Sequence, residues 1–525
     1  AGELEAIPGI GKTLAAKIDE WLSTGHLQAY EKLQEQVPAG VVEMLQVPDV
    51  GPKKAALFWR ELGITTVEAL EQAARDGRLS ALPGMGAKSE QKVLAGIEAL
   101  KRRSGRTLLG VAWPLAYAML AELQEVKGVA QAAPAGSLRR MRETVGDLDL
   151  LVASDDPEPV MARFRELPQV AEVLLSGTTK TSIRTQEGFQ VDLRVLESAR
   201  WGTALQYFTG SQAHNISLRA LALDRGFSLS EYALKREDGT AVLCATEEEV
   251  YAMLDLPFIP PELREDRGEI EAALEGRLPD LVELGDLKGD LQFHTTWSDG
   301  QQSLLEMAQA AKAYGLRYAL VTDHSHSLGI AGGLTADDLR RQRAEVDEVN
   351  RKMGDSFRLL AGTEVEVRGD GSLDFPDEVL AELDLVVAAV HTGLHQDREH
   401  VMRRFLAAIH DPHVDVIAHP TGRFIDEREG ADLDMDVLFR AAAKAGTALE
   451  VNAYPKRLDL RDAHVRRATD LGVKLAISSD THDVQGFNWL PFGVATARRG
   501  WARTADVVNT WDVGVLLEWA ARRDA

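Results

Sequence analysis

The sequence predicts a multidomain chain that strings α+β and α/β units together, and three observations predict it. A Pro-Gly-x-Gly-like pattern recurs three times in the first hundred residues, each copy opening a helical run. Short β-branched runs interleaved with helices follow, around an Asp-x-Asp pair. Of 13 histidines, 11 fall from His294 onward, among strand-like runs that alternate with helices. At 525 residues and 45% hydrophobic, the chain can bury several cores. Domains of about 100 to 200 residues then imply three or four structural units.

Composition narrows the function classes. A single cysteine, Cys244, excludes internal disulfides and any Cys-based zinc site. No apolar stretch approaches the roughly 18 residues that span a membrane, so no membrane partner is expected. A soluble, reducing, cytoplasmic setting follows. The N-terminus shows neither a basic start nor an apolar signal core. It also lacks an initiator Met, which leaves a lost leading segment open. The net charge of −23 argues at face value against nucleic acid, since phosphates need clustered Lys and Arg. Distribution matters more than the sum: residues 51–150 carry 15 Lys+Arg against 11 Asp+Glu, whereas 251–287 carry 3 against 10. A locally basic face on an acidic protein can hold a duplex.

The repeats are Ile7-Pro8-Gly9-Ile10-Gly11, Val47-Pro48-Asp49-Val50-Gly51 and Leu82-Pro83-Gly84-Met85-Gly86, each ahead of an Ala- and Lys-rich helical run. Such a hairpin exposes consecutive N–H groups at a helix N-terminus, where a phosphate binds without base contacts. They are expected to be helix-hairpin-helix modules for sequence-independent DNA binding, through Gly9, Gly11, Gly51, Gly84 and Gly86. Asp49 puts a negative charge where a phosphate approaches, so the second copy is the weakest. One copy alone is as well explained by an ordinary turn.

Beyond Lys101-Arg102-Arg103 comes a mixed α/β unit with strand-like runs at 147–152 and 189–195, then a smaller α+β unit over about 199–260. In Gly146-Asp147-Leu148-Asp149-Leu150 the carboxylates stand at i and i+2, on one face of a strand, and Asp192 is the natural third on a neighbouring strand. Three carboxylates sharing two divalent cations suit phosphoryl transfer to a hydroxyl. Asp-x-Asp alone is more often a solvated strand face. The upstream Gly136-Ser137-Leu138-Arg139-Arg140 and downstream Tyr207-Phe208-Thr209-Gly210-Ser211 shift that balance.

At these residues the chain resembles the family X DNA polymerases, and the resemblance spans roughly residues 1–260. It implies a polymerase-beta-like nucleotidyltransferase palm and thumb, with Asp147, Asp149 and Asp192 binding two Mg²⁺ or Mn²⁺ ions. Ser137, Arg140 and Gly146 would hold the triphosphate of a dNTP, and Tyr207, Phe208 and Gly210 would border its sugar. Asn215 would meet the incoming base and Arg219 the template strand. Lys17 falls where some relatives carry a Schiff-base lysine, but the upstream residues that accompany it there are missing. A phosphate-facing or solvated lysine is expected instead.

The acidic, Pro-rich stretch 257–286 is expected to be a connector, its composition suggesting mobility. From Lys288 onward, strand-like runs at 318–322, 385–390, 414–418, 448–451 and 474–478 alternate with helices, as in a parallel α/β barrel. At their C-terminal ends stand His294 and Asp299, His324, Glu364, His391, His419, Asp480 and His482, a donor set suited to Zn²⁺ or Mn²⁺. Their order and spacing resemble the PHP (polymerase and histidinol phosphatase) domain, a distorted (β/α)7 barrel. That resemblance implies up to three ions: His294, Glu364 and Asp480 on one, Glu364, His391 and His419 on a second, Asp299, His324 and His482 on a third. Gln292 replaces the first histidine of the family's opening His-x-His, weakening that site as a ligand set. His326, His395, His400, His410, His413 and His464 are taken as bystanders.

The expected domains are thus a partial helix-hairpin-helix domain (1–36), fingers with further repeats (37–105), palm (106–198), thumb (199–260), linker (261–287) and phosphoesterase (288–525). The expected function is gap-filling DNA synthesis on gapped or nicked duplex in repair, base excision or end joining, joined to metal-dependent 3′-5′ exonuclease or 3′-end processing. Two alternatives compete. One is a small-molecule phosphatase tethered to DNA with a degenerate polymerase half, against which all three palm carboxylates stand. The other makes the C-terminal barrel a structural or DNA-docking platform, to which Gln292 lends weight. A bacterial, nucleoid-associated protein is implied, and nothing in the sequence demands more than a monomer.

Overall fold

Short helices punctuated by Gly and Pro build the first of two separate units. The computed structural model describes residues 12–24, 26–27, 37–47, 50–103 and 106–521. The described residues up to 103 form one unit and those from 106 onward the bulk of the other. The first contains helices Lys12–Thr24, Ala39–Glu43, Pro52–Leu62, Val67–Arg75 and Ala87–Arg103. Met44, Phe58, Leu70, Leu79, Val93 and Ile97 are its core. Gly63, in the left-handed region at φ 67°, ends Pro52–Leu62, and Thr66 starts Val67–Arg75 by accepting from the Ala69 N–H.

In the second unit, a five-stranded sheet runs in the order Gln131–Pro134, Leu148–Ala153, Gln190–Leu196, Lys180–Thr185, Val170–Ser176. The strand period of two divides its side chains. Leu148, Leu150, Val152, Val191, Leu193 and Val195 pack with helices Leu109–Gln124 and Pro157–Arg165. Leu151 and Ala153 pack on the other face with Trp201 and Leu205. Asp149 and Asp192 belong to that second face by the same period.

Helices Trp201–Thr209 and Gln212–Asp224 and a small antiparallel sheet (Phe227–Leu229, Leu234–Arg236, Ala241–Val242) follow. Helix Glu247–Ala252 opens with a capping box of Thr246 and Glu249, and packs so closely that a Cβ on Gly202 would meet the Thr246 carbonyl carbon at 2.1 Å. The stretch expected as a mobile connector is instead folded into this unit. It holds helix Glu269–Leu274 and a fully buried Arg264, which donates to the Ile259 carbonyl at 2.8 Å and pairs with Glu247 at 2.5 Å. Its acidic residues meet arginines from distant parts of the chain, which composition cannot reveal.

The C-terminal strands are all parallel. Gly289–Phe293, Tyr318–Val321 and Arg358–Ala361 form one group, and Glu364–Glu366, Val387–Ala389, Val416–Ile417, Ala448–Asn452 and Leu475–Ser478 another. A bridge from His324 to Glu364 joins the groups, and one from Phe293 to Thr481 links the last strand to the first. Every strand-like run predicted here contains an observed strand. Residues of one parity, such as Leu320, Val387, Ala389 and Ala476, pack with helix Val513–Ala521. Those of the other, such as Val321, Ala388, Val451 and Ile477, pack with helices such as Leu304–Tyr314 and Met435–Ala445. Burial on both sides explains why these strands are apolar throughout. Among the described residues no helix is long and apolar enough to cross a membrane.

Candidate active sites

The parallel register places Asp149 directly opposite Asp192, with Asp147 one residue before the same strand. Burial pushes the Asp149 carboxyl up to about 7, and the neighbouring charges of Asp147 and Asp192 add to the rise. Asp192 behaves oppositely: burial works against its charge, but hydrogen bonds from Lys180, Gln190 and Ser182 hold it below the usual range. The Lys180 ammonium lies 2.7 Å from Asp192. Lys180 escaped the sequence reading because only strand pairing brings it there, in the strand hydrogen-bonded to that of Asp192. Three carboxylates, one of them driven toward protonation by burial and by the charges of the other two, are the donor set that divalent cations relieve.

Gly136 lies against this cluster. At φ 57° its Cβ would stand 2.6 Å from the Asp149 Oδ2, so no other residue fits without displacing the carboxylate. Ser137 follows it in the short helix Gly136–Arg139. The buried Arg140 guanidinium donates from Nη1 to the Thr209 carbonyl at 2.6 Å and from Nε to Glu265 at 3.1 Å. Gly210 is packed on it, a Cβ there falling 3.1 Å from Nη1. Gly146 is half-buried next to Arg106. Tyr207 and Phe208 stand edge to face at 5.2 Å, with the Arg194 guanidinium 4.5 Å over the Phe208 ring. The Asn215 amide is committed within the protein, donating to the Tyr207 carbonyl at 2.7 Å and accepting from Gln206 at 2.9 Å. Reaching a base requires breaking that pair of bonds. Arg219 is exposed on helix Gln212–Asp224.

The second cluster centres on Glu364, which is buried. Its Oε2 lies 3.1 Å from His324 and 3.6 Å from His294, and its Oε1 lies 2.9 Å from His419 and 3.3 Å from His391. His294 is also 3.2 Å from Asp480, and Asp299 is 3.4 Å from His482 and 3.6 Å from His324. Among the described residues, two groupings have the spacing of an ion's ligands: His294, Asp299, His324 and His482, and His324, Glu364 and His391. His324 therefore lies between two groups, where the sequence assigned it to one.

Both ring nitrogens of His294, the Nδ1 of His324 and the Oε2 of Glu364 are buried and make no aligned hydrogen bond, standing close to one another and to Asp480 as ligands that converge on one point do. Both amide atoms of Gln292, 1% exposed, likewise make no aligned hydrogen bond. Burial opposes charge on His391, but Glu364 and Glu366 outweigh it and raise the ring to about 10. A metal entering this site must expel that proton.

Sequence reasoning missed the residues that orient these ligands. Glu366 accepts from the His391 ring at 2.7 Å, and its i+2 relation to Glu364 on one strand was the available signal. Asn452 bridges Asp480 at 3.0 Å and Glu450 at 3.2 Å. Burial, with the like charges of Asp480 and Glu364, pushes the Glu450 carboxyl well above its usual range. Of the bystanders, His326 is 43% exposed and only 3.9 Å from Asp374, outside both ligand groups.

Among the repeats, Gly9 and Gly11 lie outside the described residues, as does Asp49. Gly51 starts helix Pro52–Leu62 with no side-chain cap, and Cβ atoms on Gly51, Gly84 or Gly86 would meet nothing within 4 Å. All three glycines are exposed. Lys17 is exposed on helix Lys12–Thr24.

Comparison with known proteins finds relatives of the whole chain and of its parts. The family model described as SAM-like helix-hairpin-helix tandem matches residues 41–99, running through both the second and third repeats. That of the DNA polymerase beta thumb matches 204–265. A DNA polymerase/3′-5′ exonuclease PolX of Bacillus subtilis (strain 168) is 40% identical over 99% of this chain and 92% of its own length. DNA polymerase lambda of Rattus norvegicus is 27% identical over 50% of this chain and 48% of its own. A probable phosphatase of Thermoanaerobacter sp. (strain X514) is 27% identical over 44% of this chain and 93% of its own. With helical repeats, a polymerase thumb and a phosphatase-like C-terminal half in one chain, and with identity sustained from end to end, this protein belongs to the PolX family of bacterial family X DNA polymerases.

Proposed function

We propose that this protein is a DNA-repair polymerase that fills gaps in duplex DNA at Asp147, Asp149 and Asp192 and trims 3′ ends at the Glu364-centred site. The observation that carries this reading is the register of Asp149 against Asp192, which gathers the carboxylates on one face of the sheet, with Gly136, the residue before Ser137, packed against Asp149. The three aspartates would hold Mg²⁺ or Mn²⁺, which makes a primer hydroxyl nucleophilic and neutralises the leaving pyrophosphate. Ser137, Gly146 and Arg140 would grip the triphosphate; no protein acceptor among the described residues meets the Nη2 of Arg140. Tyr207, Phe208 and Gly210 would wall the sugar. Gly51, Gly84 and Gly86 would bind the duplex backbone, Arg219 the template, and Asn215 the incoming base.

In the C-terminal half, His294, Asp299, His324, Glu364, His391, His419, Asp480 and His482 would hold Zn²⁺ or Mn²⁺, up to three ions, with Gln292 as a weaker neighbour. The buried, converging and poorly aligned polar atoms of His294, His324 and Glu364 support this. The substrate would be a terminal phosphodiester, cleaved by water to release a nucleoside monophosphate. A cytoplasmic, nucleoid-associated protein acting as a monomer fits these roles.

The test is a 5′-labelled primer on a gapped duplex, incubated with Mg²⁺ or Mn²⁺, with and without dNTPs. Asp192→Ala should lose extension and keep shortening; His391→Ala should do the reverse. Loss of both activities in either folded variant would refute two independent sites. Gln292 favours one second reading, in which the C-terminal half is a docking platform, because an amide oxygen is a weaker ligand than an imidazole. Extension without any shortening by the unmodified protein, at one bound ion or fewer in that half, would establish it.

A further inference from the structure

One buried carboxylate joins the polymerase site to the C-terminal half. Glu265 accepts from Arg140 Nε at 3.1 Å, from Arg142 Nη1 at 3.3 Å and from Arg499 Nη1 at 3.0 Å. Arg140 and Arg142 follow the short helix beside Asp149, whereas Arg499 ends helix Leu490–Arg499 in the C-terminal half. The Arg499 side chain is 5% exposed and that of Glu265 is 9% exposed, so water screens this contact poorly. Arg499 also donates to the main-chain carbonyl of Arg140 itself at 2.6 Å, and is anchored through Nη2 to Asp462 at 2.8 Å. It therefore touches Arg140 twice, once at its backbone and once through Glu265.

A guanidinium is a planar fork, so fixing two of its nitrogens fixes the third. Thr209 and Glu265 take Nη1 and Nε of Arg140, leaving Nη2 as the edge that can meet a ligand. A carboxylate shared among three guanidiniums also neutralises each of them only in part. Without Arg499, Glu265 would be divided between Arg140 and Arg142, drawing Arg140 from its present angle and cancelling more of its charge.

We infer that Arg499 is a positioning residue for nucleotide insertion: through Glu265, the C-terminal half sets the angle and the effective charge of the arginine that receives the dNTP triphosphate. This rests on the reading of Arg140 as a triphosphate ligand. It makes the phosphatase-like half part of the polymerase's nucleotide site, apart from whatever that half does at its own metal cluster.

The experiment measures single-nucleotide insertion on a gapped duplex, as KM for dNTP and kcat separately, with full-length R499Q, R499K, E265Q, R499Q/E265Q and R140A, alongside 3′ shortening by the same preparations. R499Q should raise KM roughly three- to tenfold, as expected when a charge-assisted hydrogen bond acting at one remove is removed, with kcat within about twofold. Shortening should be unchanged. R499K, which keeps the charge, should recover most of the loss, and R499Q should add nothing further in the E265Q background.

An unchanged KM in R499Q, or an equal rise with and without Glu265, would overturn the coupling. So would a parallel worsening of KM, kcat and shortening that R499K does not rescue, which marks a purely structural role. If R499Q does not fold, the comparison passes to R499K, whose smaller KM rise must vanish in E265Q. R140A distinguishes the two layers: if it leaves KM unchanged, the triphosphate reading of Arg140 fails, whereas a raised KM in R140A with a silent R499Q removes only the coupling.

Discussion

Glu364 concentrates at one residue what the C-terminal chemistry requires. A carboxylate with four imidazoles within 3.6 Å has the surroundings a bridging ligand would need, and its buried charge is held by the histidines around it. Its strand neighbour Glu366 shows how such a site is aimed. It takes the Nδ1 side of His391 at 2.7 Å, leaving Nε2 toward Glu364 at 3.3 Å. Partners of this kind fix the ring and raise its basicity, and losing one costs about 10- to 100-fold in metal affinity. Glu366→Gln should therefore release Zn²⁺ or Mn²⁺ from the C-terminal half at correspondingly lower chelator concentration, while nucleotide insertion is unaffected. Metal content after dialysis against graded chelator checks this, and retention equal to the parent protein would remove the role assigned to Glu366.

At the scale of elements, periodicity made much of the molecule legible. The strands of the C-terminal half are apolar runs bounded by polar residues, and their ends carry histidines in an order that local reading recovers. Asp147, Asp149 and Asp192 were equally accessible, because a period of two puts alternate residues on one face and flanking motifs select the face. Lys180 was not accessible, since its pairing with Asp192 depends on which strands are neighbours. Glu450 was hidden for a related reason: a carboxylate inside an apolar strand is conspicuous, but its partners come from elsewhere in the fold. The third repeat was legible as a turn ahead of a helix, and the exposed helix starts after Gly51 and Gly86 give these segments a measurable property. Lys53 and Lys88 are exposed in the first turns after Gly51 and Gly86. If these turns hold phosphates, the double variant K53A/K88A should weaken binding to duplexes of any sequence alike and reduce the salt slope of binding by about 2, one for each phosphate no longer neutralised. Titration of two unrelated duplexes at several salt concentrations would show it; an unchanged slope would place the DNA elsewhere.

The whole molecule departs most from its sequence at the acidic stretch before the C-terminal half. Ten acids against three bases over 251–287 suggested a solvated tether. Charge counted along the chain says nothing of partners far away in it. Glu262 pairs with Arg498 at 2.7 Å, Glu265 with Arg140 and Arg499, and Arg267 with Asp462 at 3.0 Å, so this stretch is the seam itself. Arg423 adds a further link, to Glu143 at 2.7 Å. Such a seam has a pH signature whose sign can be worked out. Burial opposes the charge on Glu265 and Asp462, but Arg499 with Arg140 in one case and Arg499 with Arg267 in the other outweigh it, holding both carboxyls below their ordinary values of 4.5 and 3.8. A carboxylate whose folded pKa is depressed stabilises fully above its unfolded pKa, and that stabilisation drains as pH falls through the folded value. Replacing Glu265 by Gln leaves Arg499 buried with one fewer counter-charge, a loss of about 3 kcal/mol for a buried pair at neutral pH. The gap in melting temperature between the parent protein and E265Q should accordingly stay constant from neutrality down to about pH 5, then close as pH falls below the ordinary glutamate value. A gap that persists unchanged at pH 3 would mean that Glu265 holds the seam by shape and hydrogen bonding, and that its charge contributes nothing.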